Sequence, residues 1–360
     1  MTAALKVYSA PSYDIDLTEP PAERWRNFCK AEGDNIHSIL SDVHQSIDEE
    51  LLGHLYPPIK GLVKTLGSGA GWIAHAISDS MYGEEYTTEI RGIAKYAEVP
   101  LGDLMLGNLI YDLTSLSEMY GCGCSSASFD INATPVLVRN MDWVNPRSTG
   151  KHTRLIRFHR GSNSYTSVGV CGMVGVVSAI CSQWAVTVNQ APIVKKAGWL
   201  GCLNPVDLFR WPALQRVRTV CDRMGDYNHT VLGLRAQPVM VPFFAHVVGR
   251  EAKEHSIVSH IGDETLLRTI GKKKAASLVQ TNHYVTPRLK KHNPENGEDF
   301  IWDTYTRHDA LKERFTLDTP QNVVAALNVL KGSDVTTGDT VQQMLLWPAR
   351  ETMVLKTRNG

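Results

Sequence analysis

The chain has 360 residues, 43% of them hydrophobic, enough for one large well-buried domain or two modest ones. Lys+Arg and Asp+Glu number 37 each, a formal net charge of +0, which argues against the clustered positive charge that grips nucleic acid. Seven cysteines, odd in number and scattered over so long a chain, are not a disulfide framework.

Several of the cysteines lie in apolar runs, as in Val170-Cys171-Gly172 and Ile180-Cys181-Ser182, and read as small buried hydrophobes. Residues 1–14 lack a basic segment followed by an apolar core, so no secretory signal is read. The chain as it stands is therefore expected to be soluble and cytoplasmic by default, although a lysosomal or secreted form stripped of its signal would look the same. No stretch is long and apolar enough to span a bilayer.

Residues 22–52 carry apolar side chains at helical spacing among Glu, Lys, Asp and His. Residues 55–81 hold two amphipathic stretches around a glycine hinge, Gly67-Ser68-Gly69-Ala70-Gly71. The first contains Ile59, Leu62, Val63 and Leu66; the second contains Trp72, Ile73, Ala76 and Ile77. Segments 88–97 and 101–116 predict two more helices, with Pro100 between them. From residue 125 the pattern changes to short strands, at 125–129, 135–143, 153–159, 164–170 and 174–190. A helix is predicted after Asn204-Pro205, then strands at 239–248, 256–261 and 276–282, with Lys272-Lys273-Lys274 in a solvated hairpin turn. Thr319-Pro320 precedes a predicted helix at 321–330, and 341–357 returns to strand. This order predicts an α+β body with a helical N-terminal piece wrapped on it.

The densest stretch for chemistry is Gly121-Cys122-Gly123-Cys124-Ser125-Ser126-Ala127-Ser128-Phe129, where small residues crowd a thiol at the start of a strand. The next strand ends in Arg139-Asn140-Met141-Asp142-Trp143, and a turn around Asn132-Ala133-Thr134-Pro135 joins the two in a predicted hairpin. Its open end would bring Arg139 and Asp142 to Cys124. An arginine beside a thiol favours the thiolate nucleophile, and a carboxylate can hold a nearby amine. Two other strands end in carboxamides, at Asn189 and Asn282, and a strand-end Asn can donate to a developing oxyanion. Arg307, in Trp302-Asp303-Thr304-Tyr305-Thr306-Arg307-His308, reads as a helix-surface arginine. On residue types alone, a plainly packed thiol, a surface Arg139–Asp142 pair and turn-initiating asparagines remain the alternatives. Cys122 and Cys124 lack a second close ligand pair, and His255 and His260 are off helical ligand spacing, so no metal and no cofactor are predicted.

Five short motifs follow one another in order. They are Ile15-Asp16-Leu17 with Pro20-Pro21 and Arg24-Trp25; Glu89-Ile90-Arg91-Gly92 followed by Asn108-Leu109-Ile110-Tyr111; Cys124-Ser125-Ser126; Arg139-Asn140-Met141-Asp142; and Gln280-Thr281-Asn282. Together they resemble the acid ceramidase and N-acylethanolamine acid amidase group, within the wider choloylglycine hydrolase and penicillin V acylase superfamily. The resemblance implies the αββα sandwich of N-terminal-nucleophile hydrolases. It also implies a precursor cut by its own thiol before Cys124, leaving a helical smaller subunit, 1–123, associated with a catalytic domain, 124–360. By the same resemblance Cys124 is nucleophile and, through its freed α-amine, base. Arg139 tunes the thiolate, Asp142 orients the amine, and Asn282 donates to the oxyanion. Asn189 binds near the scissile amide or shares that role, and Arg307 stabilises the site.

The implied activity is hydrolysis of the amide of an N-acylated lipid or small molecule through an acyl-thioester, without a cofactor. The helices at 55–81 would touch a membrane surface where a lipid enters, or pack on the larger subunit. Gln190 follows Asn189 where the lipid amidases tend to have an acidic residue, and His283-Tyr284 replaces their usual Tyr-Asp. The Gly-Cys junction and Tyr305-Thr306-Arg307 also resemble the fungal acyl-CoA:penicillin acyltransferases. An acyltransferase, or a penicillin V acylase- or bile-salt-hydrolase-like amidase, is the alternative expectation.

Overall fold

The structure is a computed structural model that describes residues 6–8, 10–55, 57–67, 71–116, 123–143, 146–193, 210–236, 238–261, 264–270, 277–293 and 299–358. Cys122, residues 68–70 of the predicted hinge, the helix start at 204–205 and the lysines at 272–274 lie outside the described residues.

Two strands the sequence reading did not anticipate open the chain, β1 (Lys6–Tyr8) and β2 (Ser12–Asp16). Helix α1 (Arg26–Ser46) buries Phe28, Cys29, Glu32, Ile36, Ile39, Leu40 and Val43, one face at the predicted spacing. Helix α2 (Pro57–Gly67) buries Ile59, Val63 and Leu66 within the protein. For α2 the packing alternative to a membrane contact is the one seen, and the side chains of 71–82, the rest of that expectation, lie outside the described residues. Helix α3 (Gly71–Tyr96) breaks at Gly83, whose φ of 71° and ψ of 160° no side chain adopts easily. Helix α4 (Leu101–Leu116) is buried nearly all round. It lies so close to α2 that a Cβ on Gly102 would sit 2.1 Å from the Leu66 carbonyl oxygen. Among the described residues no helix is long and apolar enough to cross a membrane.

The body follows as β3 (Cys124–Ile131), β4 (Thr134–Asp142), α5 (Pro146–Lys151), β5 (Thr153–Arg160), β6 (Asn163–Val170), β7 (Ser178–Ile180) and β8 (Trp184–Gln190). Then come α6 (Ala213–Cys221), α7 (Tyr227–Arg235), β9 (Phe243–Gly249), β10 (His255–Ile261), β11 (Glu264–Thr269) and β12 (Ser277–Gln280). The chain ends with α8 (Asp299–Leu317), α9 (Val323–Asn328), β13 (Thr340–Trp347) and β14 (Thr352–Thr357). The predicted strands 174–190 and 341–357 are each two antiparallel strands, because a turn at 181–183 and the left-handed Glu351 (φ 48°) reverse the chain.

Fourteen strands form two sheets among the described residues. One has the order β1-β14-β13-β4-β3-β12 and the other β11-β10-β9-β8-β7-β6-β5-β2. They stack face to face over Leu137, Leu155, Val168, Ile180, Val248, Met344 and Leu355. Helices α8 and α9 cover the first sheet through Leu311, Phe315 and Ala326, and the N-terminal helices with α6 and α7 cover the second. The architecture is an αββα sandwich. β1 pairs parallel with β14, and β2 with β5, so the N-terminal segment adds an edge strand to each sheet.

Candidate functional site

β3 and β4 form the predicted hairpin, with Cys124 opposite Met141 and Ser126 opposite Arg139. The turn is made by Asn132 and Ala133, with φ of 52° and 60°, the sign a tight two-residue hairpin loop requires. Alternation along β3 sends Ala127, Phe129 and Ile131 towards α8 and α9. Cys124, Ser126, Ser128 and Asp130 therefore share the face turned to the second sheet.

Cys124 is buried, and three of its atoms are held by three side chains from three elements. Its backbone N–H donates to Asn282 Oδ1 at 2.7 Å, just past the end of β12. Its Sγ accepts from Arg139 Nη2 at 3.1 Å, on β4. Its carbonyl oxygen accepts from Arg307 Nη1 at 2.8 Å, on α8. The carbonyl oxygen of the preceding residue, Gly123, accepts the backbone N–H of Asp142 at 2.7 Å.

Arg139 also donates to the Val188 carbonyl and to Ser178 Oγ in the second sheet, and to the carbonyl of Val177 just before β7. It is 1% exposed, and no carboxylate pairs with it among the described residues. A guanidinium buried without a counter-charge thus sets its positive charge directly against the sulfur. Arg307 donates further to Ser125 Oγ and Asn282 Oδ1, and its Nε to Asp303 one turn away. It is 1% exposed and sits inside the site, not on the helix surface where its sequence context put it.

Asp142 accepts from Thr340 Oγ1 through Oδ1 at 2.6 Å, while its buried Oδ2 has no partner among the described residues. Burial pushes its carboxyl up to about 6, with Arg307 opposing. A Cβ on Gly123 would stand 2.7 Å from that Oδ2 and 3.2 Å from Arg307 Nη2, so only glycine leaves the carboxyl and the guanidinium room there.

The Asn282 carboxamide is oriented by its neighbours: two donors, Cys124 N–H and Arg307, face Oδ1, and Nδ2 donates to the Gln190 carbonyl at 3.0 Å. Asn189 reaches the Cys124 face of β3 through Ser126. Its Nδ2 donates to Ser126 Oγ at 3.2 Å and to the Gln280 carbonyl at 2.9 Å. The structure thus brings Arg139, Asn282 and Arg307 into hydrogen bonds with Cys124, sets Asp142 against the preceding Gly123, and places Asn189 one residue removed. Thr340 and His246 were not singled out from sequence. Thr340 stands 198 residues from Asp142, and nothing in its local context marks it.

A family model of the beta subunit of N-acylethanolamine-hydrolyzing acid amidase matches residues 8–69. An N-acylethanolamine-hydrolyzing acid amidase of Caenorhabditis elegans is 25% identical over 258 residues, covering 69% of this chain and 66% of that protein. A probable acid ceramidase of the same nematode is 25% identical over 215 residues, 54% of this chain and 50% of that protein. An acid ceramidase of Macaca fascicularis is 22% identical over 301 residues, covering 76% and 70%. The chain thus spans from about half to about two thirds of the length of the first two. The solved structure of the C. elegans N-acylethanolamine-hydrolyzing acid amidase ortholog matches at a TM-score of 0.51 and 18% identity, over 63% of this chain and 93% of that one. That likeness shows a shared fold.

Proposed function

We propose that this chain, of the acid ceramidase and N-acylethanolamine acid amidase-like family, is a self-processing cysteine amidase that hydrolyses the amide of an N-acylated lipid or small molecule. The observation that carries the reading is the threefold hold on Cys124: N by Asn282, Sγ by Arg139 and O by Arg307.

Maturation begins with attack of Sγ on the Gly123 carbonyl carbon. The backbone N–H of Asp142, already on that oxygen, meets the developing oxyanion. The Gly123–Cys124 bond breaks, the proton lost by the thiol ends on its nitrogen, relayed by the Asp142 carboxyl, and a thioester to Gly123 remains. Water hydrolyses it, freeing the Gly123 carboxylate and the Cys124 thiol. The segments 1–123 and 124–360 stay together through the two edge strands and the helical layer. The new α-amine, on Asn282 Oδ1, has an unperturbed pKa near ~8 and serves as base. It accepts the thiol proton as Sγ attacks the substrate carbonyl, then passes that proton to the departing amine nitrogen. Water, deprotonated by the same amine, cleaves the acyl-thioester to a carboxylic acid and the free thiol.

Intact masses of wild type and Cys124→Ala test the reading after incubation at acidic and neutral pH. Two fragments, the larger starting at Cys124 and found in wild type only, are expected, followed by release of free acid from an N-acyl amine. A chain uncut at every pH whose Cys124 ignores thiol probes would sink it. An added amine that captures the acyl group as a new amide would assign the acyltransferase instead.

A further inference from the structure

Behind the candidate site, the interior between the sheets holds a continuous line of hydrogen bonds through otherwise apolar packing. Ser126 Oγ lies 3.0 Å from His246 Nδ1. His246 Nε2 lies 2.8 Å from Ser128 Oγ, and Ser128 Oγ lies 2.9 Å from His255 Nδ1. His255 Nε2 lies 2.8 Å from Asp130 Oδ1, whose side chain is 39% exposed at the edge of the sandwich. Ser126, Ser128, His246 and His255 are fully buried. Burial, His255 and Arg268 keep the His246 ring neutral, with one N–H and one lone pair.

The Asp130 carboxylate only accepts, so it sets the direction of every proton behind it. His255 Nε2–H donates to Asp130, and its Nδ1 accepts from Ser128. Ser128 accepts from His246 Nε2–H, and His246 Nδ1 accepts from Ser126. The Ser126 hydroxyl proton therefore points at His246, and its lone pairs are left for Asn189 Nδ2. With every proton of the line turned the other way, Ser126 donates to the Gln280 carbonyl at 3.3 Å. Ser126 still accepts from Asn189. In both directions the two Asn189 N–H groups are used, on Ser126 Oγ and the Gln280 carbonyl. The Asn189 side chain is fully buried, and its Oδ1 has no partner among the described residues.

We propose that the line from Asp130 to Ser126 is a positioning device that holds Asn189 as a hydrogen-bond acceptor for the N–H of the substrate's scissile amide, so that the site selects secondary amides over esters of the same acid. The proposal rests on the amidase reading above. It makes Ser126 and His246 positioning residues, and assigns Asn189 the role of acceptor, not of oxyanion donor. A buried acceptor that meets an N–H gains a hydrogen bond; the ester oxygen in the same place leaves it unpaired and repels it.

The test uses the matured enzyme and two fluorogenic probes with one acyl group, the octanoyl amide of 7-amino-4-methylcoumarin and the octanoyl ester of 7-hydroxy-4-methylcoumarin. Ser126→Ala and Asn189→Leu should each lower the amide-to-ester ratio of kcat/KM about tenfold, an amount equal to ~1.4 kcal/mol. Ser126→Thr, which keeps the hydroxyl, should restore the ratio. The double variant should show no further fall, because both changes act through one group. If Ser126→Ala does not mature, Asn189→Leu carries the same ratio measurement. Equal losses on both probes, or an unchanged ratio, overturn the proposal and leave the amidase reading standing. A wild type inert towards both probes overturns the reading and the proposal together.

Discussion

A buried carboxyl with one empty oxygen is unusual enough to be read for its protonation, and Asp142 is such a group at the bond between Gly123 and Cys124. Its carboxyl, raised from 3.8 to about 6 by burial, holds a proton over a window in which an exposed aspartate has lost it. Breaking the peptide bond requires a proton on the Cys124 nitrogen, and the protonated acid is the form able to supply one. Self-cleavage is therefore expected to fall as pH rises through about 6, and Asp142→Asn, which cannot titrate, should abolish that fall. Fragment formation timed by mass at pH 5 and pH 7.5 checks this, and a wild-type rate indifferent to pH would refute it. The stability sign agrees: a carboxyl raised in the fold contributes stability below its unfolded value of 3.8 that is lost as pH rises through about 6. Cys124, Arg139 and Asp142 were legible in sequence because a hairpin register brings them together. The acceptor role of the Asn282 oxygen was not, because two donors from distant elements decide which way an amide turns.

Among the elements, α4 carries the tightest constraint. Buried nearly all round, it passes α2 at Gly102, where no side chain fits beside the Leu66 carbonyl. Gly102→Ala adds a methyl against backbone that cannot swing aside, so a loss of about 1–3 kcal/mol is expected despite the better helix propensity of alanine. A lowered urea midpoint would register it, whereas a gain would mean the helices can separate. α1 and α4 were predictable because helical periodicity or sustained apolarity marks them. β1 and β2 were not, since three and five residues give no period to count and their pairing depends on strands more than a hundred residues away.

For the whole molecule, the segments on either side of the proposed cut before Cys124 are tied by a buried ionic cluster. Glu89 accepts from Arg24 and Trp25 on its own side and from Arg218 on the other. Arg218 also pairs with Asp222, which accepts from Tyr86 and Tyr165. Each segment brings one cation and one anion, Arg24 with Glu89 and Arg218 with Asp222, and the Glu89–Arg218 contact joins them, so removing one member strands a charge in the interior. Glu89→Gln should cost about 3–5 kcal/mol and let the cut fragments separate in milder denaturant. Gel filtration of the matured variant across a urea series checks this. Fragments that part no earlier than those of wild type would show that the edge strands carry the association by themselves.

The sequence by itself determined the α+β class of fold, the change from helices to strands near residue 124, and the hairpin that sets an arginine and an aspartate near the thiol. Those features rest on local periodicity, turn chemistry and short motifs, all written within a few residues of one another. Only the tertiary structure decided that Arg307, placed in the site by resemblance alone, bonds the Cys124 carbonyl, that Asn282 turns its oxygen to the backbone, and that a line of serines and histidines reaches Asn189. Each of these depends on partners brought together from far along the chain, and a buried polar group takes its orientation from whatever surrounds it.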